Sequence, residues 1–194
     1  MDDLLSRNDL HEYQKYSAAF IVSHPAAALL LDCGLGKTVT TLTALDELLF
    51  DRFDIHRVLV ICPLRVGNVW KHEVKKWEHL NDLILSVAIG TEQERLEALN
   101  RQADIYIINR ENVQWLIEKS GIPFDFDMVV IDELSSFKNH QSQRWKALRK
   151  VRPQIKRIVG LTGTPAANGL MDLWAETFLI DKGIRLGRFI GRYR

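Results

Sequence analysis

An apolar run that stops in a glycine loop and restarts as a helix sets the terms for this chain: Leu29-Leu30-Leu31-Asp32-Cys33-Gly34-Leu35-Gly36-Lys37-Thr38. A strand ending near Leu31 delivers the backbone to a tight turn. There Gly34 and Gly36 have no Cβ to keep the main-chain amides, that of Leu35 between them included, from wrapping a phosphate. Lys37 adds a point charge for the β- and γ-phosphates of a nucleotide, and the Thr38 hydroxyl adds a ligand for Mg²⁺. Val39 to Leu49 reads as a helix whose N-terminal amides and dipole face the same anion. The full phosphate-loop pattern has a glycine where Leu31 stands, so the strand, loop and helix setting carries the reading more than the motif does. The plainer alternative is a glycine-rich turn with a solvated lysine.

The chain has 194 residues, enough to bury a substantial core, and 46% apolar with 26% charged residues is the balance of a globular protein. One domain over residues 1–194 is expected. No apolar run approaches the roughly 18 residues of a membrane span. Met1-Asp2-Asp3 is too acidic for a secretory signal, so a cytoplasmic, membrane-free monomer is expected. Cys33 and Cys62 are the two cysteines and lack partners at metal-ligand spacing. The net charge of +1 is unevenly placed, because residues 137–171 hold eight Lys and Arg and no Asp or Glu. That asymmetry points to a polyanion on one face, against the alternative of a solvated basic helix.

Several buried strands follow the loop in alternation with helices. Arg57 to Pro63, Leu83 to Ile89, Asp104 to Asn109 and Asp127 to Asp132 are runs of the kind that lie in a parallel sheet covered on both faces. The segment after Pro63 is a helix with Val66, Val69, Trp70, Val74 and Trp77 on one side, and its tryptophans read as core. Arg65, at the junction, is the better candidate for a phosphate contact. Ahead of the loop, His11-Glu12-Tyr13-Gln14 opens a helix, and its aromatic-amide pair suits a nucleobase because Gln14 can both donate to and accept from adenine.

Two further strand ends carry chemistry. Met128-Val129-Val130-Ile131 runs into Asp132-Glu133, adjacent carboxylates of which one can hold Mg²⁺ and the other orient or deprotonate a water. Arg157 to Leu161 runs into Thr162-Gly163-Thr164-Pro165, small groups able to hydrogen-bond the acid pair and sense the γ-phosphate, against the alternative of a simple turn.

Together these residues resemble the first RecA-like lobe of a superfamily 2 helicase, in particular the Swi/Snf-type DNA translocases and their bacterial and phage versions. His11 to Gln14 resembles the glutamine motif, Gly34 to Thr38 the first ATPase motif, and Asp132-Glu133-Leu134-Ser135 the DExx box. Pro63-Leu64 with Trp70, Glu73 and Lys76-Trp77, then Phe137-Lys138-Asn139 through Leu148, and Leu161 to Pro165 give the Swi/Snf-type character. The chain departs from the family pattern at Leu134-Ser135, where Ala-His is usual, and at Cys33, where methionine is frequent.

The resemblance implies an α/β, RecA-like three-layer domain of the P-loop NTPase class, and the ATP-binding lobe of a DNA-dependent ATPase. Gln14, Gly34, Leu35, Gly36, Lys37 and Thr38 would bind ATP, with Thr38 and Asp132 on Mg²⁺. Lys37, Asp132 and Glu133 would be catalytic, and Thr162, Gly163 and Thr164 would couple the site to motion. Arg65 and the segment Asn109-Arg110-Glu111-Asn112 resemble the DNA-facing motifs. Lys138, with Arg144, Lys146, Arg149 and Lys150, is a DNA candidate on charge. A second RecA-like lobe, with its arginine finger, is absent from residues 1–194 and is the expected partner in cis or in trans, besides sequence-independent duplex DNA. The competing reading is a non-catalytic, nucleotide-responsive binding module.

Overall fold

The structure, a computed structural model, describes residues 4–164 and 170–192. Six strands, β1 (Ala26–Leu30), β2 (Val58–Cys62), β3 (Leu85–Ala88), β4 (Ile105–Asn109), β5 (Met128–Asp132) and β6 (Arg157–Thr162), form one sheet in the order β1-β6-β5-β2-β4-β3. Every pairing is parallel. β2, β4 and β6 are buried along their whole length, whereas β1 and β3 at the sheet edges alternate. That is why the central strands are continuous apolar runs: both of their faces are covered.

Helices α1 (Glu12–Ser23), α2 (Lys37–Asp46) and α3 (Gly67–Val74) cover one face, with Ile21, Leu42, Leu45 and Trp70 packed on Val58, Val60 and Val130. Helices α4 (Glu92–Asn100), α5 (Val113–Glu118), α6 (Gln143–Val151) and α7 (Leu170–Asp181) cover the other, over Leu59, Ile61, Val129 and Ile131. The result is the expected three-layer α/β domain with a RecA-like sheet. Among the described residues no helix is long and apolar enough to cross a membrane. Cys62 is buried and Cys33 exposed, both as free thiols.

Two departures from simple core chemistry matter for stability. Gly160 in β6 faces Leu134, whose Cδ2 would lie 2.6 Å from a Cβ added at that glycine. The buried leucine after the acid pair therefore occupies space that the missing side chain leaves. In α7, Glu176 is only 1% exposed, and among the described residues neither carboxylate oxygen has a hydrogen-bond partner. Burial, reinforced by the Asp172 charge and opposed by Lys138, pushes this carboxyl up from 4.5 to about 7.

Gly160→Ala is expected to cost about 1–3 kcal/mol through overpacking, with most of that penalty relieved when Leu134→Ala is combined with it. Denaturant titration of the four variants in the cycle measures the coupling. For Glu176, the folded form holds a proton that the unfolded form has already released. Its contribution is therefore fully present below pH 4.5 and is lost as pH rises towards about 7. A shift of this size corresponds to roughly 3 kcal/mol. Glu176→Gln should abolish that decline and be more stable than wild type at alkaline pH, as read from unfolding midpoints across the pH range.

Candidate functional site: the carboxyl edge of the sheet

β1 hands the chain to a loop that closes at Gly36, the N-cap of α2. Gly34 and Gly36 have φ values of 84° and 70°, a left-handed conformation that residues with side chains rarely adopt. A Cβ on Gly36 would also lie 2.2 Å from Nε2 of Gln14. Gln14 is thus a support beneath the loop: its Oε1 accepts from the His11 amide at 2.8 Å, while Nε2 donates to the Leu35 carbonyl at 3.4 Å. The Tyr13 hydroxyl donates to the same carbonyl at 3.2 Å. Both polar ends of the residue expected to read adenine are engaged within the protein, and Gln14 is 6% exposed. Lys37 Nζ spans the loop, donating to the carbonyls of Leu31 at 2.7 Å and Asp32 at 2.9 Å. Thr38 follows on the first turn of α2, half-buried.

Asp132 ends β5, and Glu133 follows with φ of 68°, strained for a residue with a side chain and of the kind that gathers at functional sites. Burial raises the Asp132 carboxyl above its ordinary value, opposed by a hydrogen bond from Trp70 and the charge of Lys37. The Trp70 indole donates to Asp132 Oδ2 at 2.9 Å from a fully buried position. Trp70 was legible as core but not as part of the site, although an indole N–H buried outright must find an acceptor somewhere. Glu133 Oε2 meets Arg110 Nη1 at 2.9 Å. Lys37, Arg65, Asp132, Glu133 and Thr162 to Thr164 line one cavity of about 210 Å³.

The end of β6 approaches the loop by contact. Gly163 lies so close that an added Cβ would be 3.3 Å from the Leu31 carbonyl oxygen and 3.5 Å from the Asp32 Cα. Among the described residues no hydrogen bond joins this turn to the acid pair: the buried Thr162 hydroxyl instead accepts from the Thr164 amide at 3.2 Å. Pro165 lies outside the described residues.

The candidate polyanion contacts are redistributed. Arg65 sits exposed at the rim of the cavity. Asn109, by contrast, is buried, donating through Nδ2 to Glu111 at 3.1 Å and accepting from Asn112 at 2.6 Å, so its side chain supports the loop and is not presented to a partner. Lys138 pairs with Asp172 at 3.7 Å.

Two arginines of the basic stretch are internal, and several of its exposed members are already paired. Arg152 is buried and donates to the carbonyls of Leu179 and Ile180 near the end of α7. Arg157 donates to those of Ile21 and Val22 in α1 and pairs with Asp54. Lys150 pairs with Glu118, Lys156 with Asp54, and Arg149 lies over Trp145 and Phe178. Orphan carbonyls at helix ends need donors, and here arginines supply them. Of the eight basic residues, Arg144 and Lys146 are the two that make no such contact among the described residues.

The sequence model of the SNF2-related domain matches residues 13–182. The chain belongs to that family. It is 38% identical over 162 residues to protein p41 of Acyrthosiphon pisum secondary endosymbiont phage 1, a match covering 80% of this chain and 35% of that protein. It is 30% identical over 190 residues to helicase swr1 of Schizosaccharomyces pombe, covering 93% of this chain and 14% of that one. Among solved structures, the Sulfolobus solfataricus SWI2/SNF2 ATPase core in complex with dsDNA superposes with a TM-score of 0.80 at 23% identity, over 100% of this chain and 40% of the other. The chain thus spans well under half the length of these relatives.

Within this SNF2-related domain, Trp70 and Asp132 form a unit that ties α3 to the strand end carrying the acid pair. Trp70→Phe is expected to leave a part-buried carboxylate oxygen unpaired and to cost about 1–2 kcal/mol at neutral pH. The cost should shrink when Asp132→Ala is already present, as chemical denaturation of the single and double variants would show.

Proposed function

We propose that this SNF2-related domain is the ATP-binding lobe of a DNA-dependent ATPase that moves along duplex DNA, hydrolysing ATP to ADP and phosphate when a second RecA-like lobe completes the site. The observation that carries the reading is the convergence of Lys37, Asp132 and Glu133 on one cavity at the carboxyl ends of the strands, where open α/β sheets bind ligands. The residues present fit a nucleotide with Mg²⁺. Two glycines at positive φ and the amides that open α2 make an anion cradle, and Lys37 supplies its cation. Thr38 and Asp132 are hard oxygen donors of the kind Mg²⁺ takes. Among the described residues no group of three His, Cys, Asp or Glu could hold a metal, which suits an ion that Mg²⁺-nucleotide sites hold mainly through phosphates. When bound, Mg²⁺ would neutralise charge between the phosphates.

The roles then divide by position. Lys37 exchanges its two carbonyl acceptors for phosphate oxygens. Glu133, the partly exposed carboxylate of the pair, orients the attacking water and accepts its proton. Asp132, held by Trp70, would with Thr38 supply oxygen ligands for the metal. Gln14 and Tyr13, fastened to Leu35, place a base near the start of α1. Gly163 lies against Leu31 and Asp32, so movement of the loop on phosphate binding would press on Thr162 and Thr164. Family membership supports DNA as the partner, and a relative of the same fold was solved with dsDNA. Arg65 and Arg110, at the ends of β2 and β4, are the side chains here for its phosphates, giving salt-sensitive and sequence-independent binding. The second lobe would add the arginine that is worth about 10³ to 10⁵ in rate in comparable enzymes.

Lys37→Ala should weaken ATP binding at least tenfold by calorimetry, and an affinity equal to wild type would sink the phosphate-loop assignment. Glu133→Gln should bind ATP like wild type yet lose hydrolysis in a protein that includes the second lobe, because an amide cannot take the proton. Steady-state turnover with duplex DNA reads this directly.

A further inference from the structure

Arg110 and Glu133 belong to different loops. Arg110 follows β4 and Glu133 follows β5, and β2 lies between those strands in the sheet. Their side chains nevertheless meet across the end of β2, with Nη1 of Arg110 at 2.9 Å from Oε2 of Glu133. The other side of the guanidinium is anchored, because Nε donates to Glu111 Oε1 at 2.9 Å. Glu111 is itself held by the buried Asn109, so Arg110 is fixed at its root and presented at its tip. Neither member of the pair is deeply buried, with side chains 28% and 45% exposed.

This geometry gives one guanidinium two competing uses. A carboxylate held by arginine has an acceptor oxygen already in use, and taking a proton there would forfeit a charge-assisted bond. Arginine binds phosphate through the same planar fork by which it binds carboxylate. A DNA phosphate arriving at the carboxyl edge would therefore compete with Glu133 for the tip of Arg110. We propose that Arg110 is a positioning residue for Glu133: it holds the carboxylate out of use until a backbone phosphate of duplex DNA takes over the guanidinium. This rests on the reading of the carboxyl edge as the DNA-facing side of an ATPase. It adds to that reading a specific exchange, in which DNA contact and freedom of the water-activating group are one event. The strained backbone of Glu133 marks the same residue as one whose position the surrounding structure dictates.

Linkage supplies a test that needs neither nucleotide nor turnover. If phosphate binding must displace Glu133 from Arg110, then removing the carboxylate charge must strengthen DNA binding by the same factor. For an exposed pair of this kind that factor is about two- to fivefold. Affinity for a duplex of arbitrary sequence would be measured by fluorescence anisotropy at low and at moderate salt. The proteins are wild type, Glu133→Gln, Glu133→Ala, Arg110→Met and the combination of Arg110→Met with Glu133→Gln, each checked for native circular dichroism. Both Glu133 variants should bind about two- to fivefold tighter than wild type, the advantage narrowing with salt. Arg110→Met should bind more weakly, and adding Glu133→Gln to it should bring no further gain. A simple loss of negative charge near DNA would raise affinity equally in the Arg110→Met background, and that result would overturn the proposal. Affinity unchanged by either Glu133 variant would overturn it as well, while leaving the DNA reading intact. Absence of duplex binding by every variant would remove the DNA reading and the proposal together.

Discussion

The parallel ladder through β1, β6 and β5 sets the spacing on which the candidate site depends. Leu30 pairs with Thr162 and Asp132 with Leu161, so the three strands reach the carboxyl edge level with one another. Each then releases a different chemistry: a glycine loop, a carboxylate pair and a short hydroxyl and glycine turn. Because side-chain direction alternates along a strand, a slip of one residue in either ladder would turn Asp132 away from Lys37. Burial on both faces protects that register, since β6 and all but the last residue of β5 lie within apolar layers that tolerate no such shift.

Polar groups inside this frame are kept by specific donors, and the donors come from unexpected places. A core tryptophan holds Asp132, and a strand-end arginine holds Glu133. The loop carbonyl of Leu35 is held by Tyr13 and Gln14 from the helix that precedes it in sequence by some twenty residues. Each of these contacts joins the edge of the sheet to a different helix or loop. The site is therefore as rigid as the packing of those elements, while the exposed ion pair is its most exchangeable member.

The alternation of buried strands and helices, and the three strand-end motifs, were legible because both follow from local rules. A continuous apolar run of five residues ended by an acid or a glycine loop reads the same way wherever it lies. Trp70 and Trp77 were rightly assigned to the core, but the helical spacing that grouped them fails at two points: α3 ends at Val74, and Val69, placed on the same side, is exposed. The basic stretch was less transparent. Counting charges cannot tell an arginine on the surface from Arg152 or Arg157, whose guanidinium groups are spent on helix-end carbonyls. Nor could spacing show that Asn109 turns inward, or that Thr162 serves its own turn and not the acid pair.

By itself, the amino-acid sequence determined that apolar strands alternate with helices, which strand ends carry the glycine loop, the acid pair and the hydroxyl turn, and to which family the chain is similar. Those properties depend on residues near one another along the chain. The tertiary structure alone decided the pairings across it: Gln14 beneath Gly36, Trp70 on Asp132, Arg110 on Glu133, Leu134 in the space beside Gly160. These partners are separated by between 22 and 62 residues, as with Gln14 to Gly36 and Trp70 to Asp132. Only strand order and helix packing bring such groups within hydrogen-bond reach. A hydrogen bond or a filled cavity needs two partners at a set distance, and no single stretch of the chain contains both.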